Sequence, residues 1–240
     1  MLPHRWLRGA LGLFLLATLV SAQPPTPTNP DAKPSDVQLV ERLLAARKEY
    51  QITLEKLRAY YIATGDVQKA RWAEQELLSY HRTPKRAYRL GLDVPPPTLD
   101  GKYNIPQANK HFRQASAYKN RGWGSDYLDN QRRAELLFQQ ILSNYPQSDK
   151  ISDVAYQLGT IYESRAYRQY GRAAMYFQRC YQWNPKTQQD ARLRAARLYE
   201  RYLNDRSKAM EIYKEILTHE TDQERIDEAQ RRLTSLSGQR

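Results

Sequence analysis

The sequence predicts an all-α solenoid of helical hairpins, and three observations carry that prediction. Ala134, Phe138, Ile141 and Pro146 stand at intervals of 4, 3 and 5. Ala173, Phe177, Cys180 and Pro185 repeat those intervals, and so do Ala209, Tyr213, Ile216 and Thr221. The period is 39 and then 36 residues, in the range of helical-hairpin repeats. In each copy a small residue lets a paired helix approach. An aromatic and then an aliphatic residue fill the space between repeats, and proline stops the helix. No stretch shows the alternation of a half-buried strand.

The elements follow in order. Arg5 and Arg8 precede an apolar run from Leu11 to Val20, and Val20-Ser21-Ala22 places small residues before Gln23. That is the layout of a secretory signal peptide over 1–22, with an uncleaved membrane anchor as the other reading. The region has no cysteine, so lipid attachment there is excluded. Residues 23–35 hold Pro24, Pro25, Pro27, Pro30 and Pro34 and read as an extended tether. Ser35 and Asp36 can cap a helix running to about Tyr61, and Thr64-Gly65-Asp66 turns the chain into a second helix. The 36–82 segment is thus a hairpin. Residues 83–106 carry Pro95-Pro96-Pro97 and Pro106 and form a linker, or a strap across the solenoid. Residues 107–236 are helical, in pairs near 107–120 with 129–144, 150–167 with 169–182, and 187–203 with 205–218. A last helix near 222–236 caps the stack, and 237–240 is a tail.

Composition narrows the function. The formal charge of +12 becomes +10 when Arg5 and Arg8 leave with the leader. A basic chain suits anionic partners, but cations and acids alternate along the helices, as where Arg132 and Arg133 precede Glu135. That is the pattern of a solvated helix face, and it disfavours nucleic acid. Cys180 is the only cysteine, so an exported chain has no internal disulfide and relies on helix packing. His81, His111 and His219 lack the spacing of a helical metal pair. No glycine-rich phosphate loop, nucleophile elbow or Cys-x-x-Cys pair is present. The expectation is a protein without catalytic residues, metal or cofactor.

Ala155, Leu158, Gly159 and Tyr162, followed by Ala173, Phe177, Cys180 and Pro185, resemble a tetratricopeptide repeat. The family has tryptophan where Ala155 stands and alanine where Cys180 stands. The turn after Tyr162 is two residues longer than the family's, and a longer insertion surrounds Gly122-Trp123-Gly124. Leu54, Leu57, Tyr61, Ala70 and Leu77 give the 36–82 hairpin a degenerate form of the same register, broken where Glu74 replaces an aromatic. The stretch from Phe138 to Tyr162 also resembles exported envelope repeat proteins of the BamD and CpoB type. Those act in outer-membrane assembly and envelope maintenance.

By this resemblance, Phe112, Ser116 and Lys119, then Tyr156, Thr160 and Glu163, then Leu193, Arg197 and Glu200 face the groove of the first helices. That mixed set implies a protein or peptide partner in the periplasm or cell envelope. Trp123, flanked by glycines, reads either as a binding anchor or as a plug between hairpins. The basic run with Arg82, Lys85, Arg86 and Arg89 offers the alternative: a binder of anionic cell-wall polymer or a membrane surface, set against a plain solvated loop.

Overall fold

In the computed structural model the described residues are 34–83, 85–121 and 126–238. The leader, most of the tether and Trp123 lie outside them. Ser35–Arg240 form one compact unit. Its helices are α1 (Asp36–Ala63), α2 (Val67–Arg82), a single turn α3 (Leu90–Asp93), α4 (Pro106–Lys119), α5 (Asp126–Asn144), α6 (Ile151–Glu163), α7 (Tyr170–Trp183), α8 (Ala191–Arg201), α9 (Arg206–His219) and α10 (Gln223–Gly238). No strand occurs among the described residues, only an isolated bridge between Tyr103 and Ser148.

The architecture is an all-α helical-hairpin solenoid. Within each repeat the first helix packs on the second: α4 on α5, α6 on α7, α8 on α9. Each second helix then meets the first helix of the next pair, and α10 closes the stack on α9. Ala134, Phe138, Ile141, Ala173, Phe177, Cys180, Ala209, Tyr213 and Ile216 are all fully buried. Ala155, Leu158, Gly159 and Tyr162 meet them from α6, and no room is left for a side chain at Gly159. The longer turn after α6 is closed by Arg168 at φ 50° and by the Gln169 amide donating to the Tyr162 carbonyl at 2.9 Å.

Local chemistry explains the ends of α1 and α2. Ser35 accepts from the Gln38 amide while the Gln38 side chain accepts from the Ser35 amide, a closed capping box. Asp66 caps α2 by accepting from the Lys69 amide at 3.0 Å. This hairpin is less embedded than the others. Among its residues only Leu54, Ala70 and Ala73 are buried, and outside the hairpin α2 packs on α5.

Residues 83–106 lie over the repeats as a strap. Val94 is buried in the core, and Asp93 forms an ion pair with Arg172 of α7. Prolines lack the amide that a sheet ladder needs, but their carbonyls still accept. Arg179 Nε donates to the Pro95 carbonyl at 2.6 Å and Trp183 Nε1 to the Pro96 carbonyl at 3.0 Å. Further on, the amides of Lys102 and Tyr103 both donate to the Gln147 carbonyl, and the Asp149 amide donates to the Tyr103 carbonyl. Gly101 permits this approach: a Cβ there would sit 2.2 Å from the Ser148 carbonyl oxygen.

Candidate functional site

The row of first helices, α4, α6, α8 and α10, gathers most of the residues assigned to the groove, and polar contacts tie each helix to the next. Lys119 Nζ on α4 donates to Gln157 Oε1 on α6 at 2.5 Å. Tyr156 on α6 donates to Asp190, just before α8, at 2.6 Å. Arg194 of α8 donates to Thr160 Oγ1 at 3.1 Å and pairs with Glu163 at 3.4 Å. Arg197 Nε on α8 donates to Glu228 of α10 at 2.8 Å, and Glu200 accepts from Arg232 Nε at 3.0 Å. Tyr213 of α9 also donates to Glu200 at 2.7 Å. The result is a polar ladder along one face of the stack.

Two assigned positions differ in character from the rest. Phe112 is half-buried and packs edge-on against Phe138, with centroids 5.6 Å apart. Leu193 is only 5% exposed and belongs to the core. Its neighbour Arg194 takes the outward place and lies over the rings of Tyr156 and Phe177, at 5.6 and 5.3 Å. Helical rotation of one residue, about 100°, separates the two outcomes. Nothing in the repeat register alone distinguishes them. Ser116 is half-buried on the same helix as Lys119.

Electrostatics in the row follow from burial. Burial, with the Arg194 guanidinium adding to it, holds the Lys119 ammonium down to about 8. Burial also raises the Glu163 carboxyl, against the opposing pull of Arg194. Tyr156 is pushed up to about 12 by burial and by its bond to Asp190. Glu228 is lowered because Arg197 donates to it. Most of the ladder is part-exposed, with Arg197 and Glu228 side chains at 36% and 22%, while the Glu200 side chain is buried at 9%. Its part-exposed pairs therefore contribute little to stability, about 1 kcal/mol or less each.

The basic run is not gathered into one patch. Arg82 donates from Nε to Asp129 at 3.0 Å, and Arg89 reaches Asp36 with two bonds of 2.8 Å. Lys85 turns inward over the Tyr80 ring, 3.8 Å from its centroid, and donates to the Tyr80 carbonyl. Arg86 is exposed.

With this geometry in view, residues 111–148 and 190–219 match the tetratricopeptide repeat family model. The first span covers most of α4 and all of α5, and the second covers α8 and α9. No curated protein matches the chain. The fold and the matched repeats define the class: a helical-hairpin solenoid of the kind that serves as a protein-binding scaffold. Such repeats are generally non-catalytic.

Proposed function

We propose that this chain is an exported, non-enzymatic scaffold that binds a protein or peptide partner in the cell envelope through the row of first helices. The carrying observation is the mostly part-exposed ladder from Lys119 through Tyr156, Thr160, Glu163 and Arg194 to Arg197 and Glu200. It alternates cations, acids and hydroxyls along several successive helices, which suits an extended peptide or a partner helix. The leader-like segment before Gln23 supports export, and the likeness to envelope repeat proteins supports a role in outer-membrane assembly or envelope maintenance. The alternative, a basic surface for anionic polymer or lipid, is weakened by the carboxylates that occupy Arg82 and Arg89.

The test is a crosslinking pull-down from the cell envelope at low and high salt, comparing the wild-type chain with Tyr156→Ala and Arg197→Ala. Discrete proteins retained at high salt and lost from both variants are expected. Recovery of only polymer or lipid, released by salt, would overturn the reading.

A further inference from the structure

Away from the row of first helices, α1 and α5 enclose a cavity of about 390 Å³, a size that holds a small molecule. Five cations line it, Arg47, Lys48, Lys85, Arg132 and Arg172, against three carboxylates, Glu55, Asp93 and Glu135. Two of those acids are already engaged. Asp93 pairs with Arg172. Glu135 accepts from Tyr162 at 2.7 Å and from Tyr167 at 2.6 Å.

Arg132 and Arg172 are 7% and 5% exposed, and the Nε of each has no hydrogen-bond partner. Arg132 donates once, to the His81 carbonyl, and lies 5.6 Å over the Tyr167 ring. Among the described residues Lys85 has only the Tyr80 carbonyl and ring as close polar partners. Neither Arg132 nor Lys85 has a carboxylate partner among the described residues. Cations drawn out of water without a direct ion pair are costly unless something anionic meets them. The surroundings register the excess. Burial with Lys85 and Arg132 holds the His81 imidazole down to about 4. Burial, reinforced by Arg132 and Arg47 and opposed by Glu135, holds Lys85 down to about 8.

We propose that the α1–α5 cavity binds a small organic anion, whose carboxylate or phosphate head is held by Arg132 and Lys85. A guanidinium and a flexible ammonium are the usual pair for an oxyanion. The amides of Gln139, Gln140 and Asn144 share the α5 wall and match hydroxyl or amide groups on the ligand body, while Leu44 and Ile52 of α1 line the other side. The site shares no residue with the ladder of first helices, so it stands or falls independently of the scaffold reading.

The experiment is calorimetric titration of the full chain with citrate, with inorganic phosphate and with glycerol as the uncharged control. Saturable one-site binding of at least one anion, and none of glycerol, is expected. The anion that binds identifies the head group. Affinity should fall roughly tenfold or more in Lys85→Met and in Arg132→Gln, each of which removes a charge-assisted bond. Lys85 sits outside any helix, so Lys85→Met decides the matter if circular dichroism shows that Arg132→Gln has lost helix. Binding should also survive added salt, because the cavity is screened less than the surface. No saturable heat with either anion would overturn the proposal. So would binding that Lys85→Met leaves unchanged, or that salt abolishes as it would a surface contact.

Discussion

Gly159→Ala tests the closest approach in the solenoid. A Cβ at Gly159 would lie 2.7 Å from Cδ1 and Cε1 of Phe177 and 3.0 Å from its Cζ. Ordinary contact begins near 3.4 Å, so the ring edge must retreat by about 0.7 Å. It has little room to do so. Phe177 is fully buried, stands edge-on to Tyr156 at 5.6 Å, and is covered by the Arg194 guanidinium at 5.3 Å. Overpacking a rigid ring costs about 1–3 kcal/mol, while replacing glycine by alanine within a helix returns about 1 kcal/mol. The expected net is a loss of about 1 kcal/mol, or roughly 2–4 °C in Tm for a domain of this size. Gly91→Ala is the control, since a Cβ there meets nothing within 4 Å, and it should be neutral or stabilising by about 0.5 kcal/mol. Urea unfolding followed by circular dichroism reads both. Adding Phe177→Leu to Gly159→Ala should cost less than the sum of the single changes, because the smaller side chain relieves the clash. If Gly159→Ala matched or exceeded wild-type stability, or the two changes simply added, the α6–α7 packing described here would be wrong.

Glu220 sits between Arg192 at 2.9 Å and Arg225 at 3.0 Å, with side-chain exposures of 6%, 4% and 21% in that order. Glu220→Gln leaves Arg192 buried without its carboxylate and should cost about 3–5 kcal/mol in denaturant unfolding. Arg225→Gln keeps the inner pair and should cost about 1 kcal/mol or less. Lys119 is held down to about 8 in the folded chain against 10.5 when unfolded. Below about pH 8 both states carry the proton. Above it the unfolded state binds more, so this group makes stability rise with pH. The rise between about pH 8 and 9.5 should be smaller in Lys119→Met, where Lys85 still contributes a rise and the buried Cys180 thiol opposes it. Burial pushes the Cys180 thiol up to about 11, with its hydrogen bonds to the Ser152 and Thr187 hydroxyls opposing the shift. Labelling by a thiol reagent should therefore follow global unfolding across a urea series, and fast labelling of the native chain would refute the buried position.

The repeat core was legible because its signal is local. Intervals of 4 and 3 place Ala134, Phe138 and Ile141 on one helix face, and all nine packing positions of the threefold pattern, its helix-stopping residues aside, are buried. The candidate site was legible only in part, because charged groups choose partners in three dimensions. Arg82 and Arg89 look like a free basic run until Asp129 and Asp36, 47 and 53 residues away, come to meet them. Arg194 rather than Leu193 joins the ladder, a difference of one helical step that periodicity cannot resolve. The cavity lay further out of reach. Glu74 stands where the repeat register calls for an aromatic, and its side chain is 53% exposed, paired with Arg58 back on α1 at 3.5 Å. The hairpin's two helices pack chiefly on each other, and they meet the rest of the chain through lesser contacts of α2 with α5 and of α1 with α3. The cavity lies where that hairpin faces α5, and its lining comes from residues as far apart in sequence as Leu44 and Arg172, which no local pattern brings together.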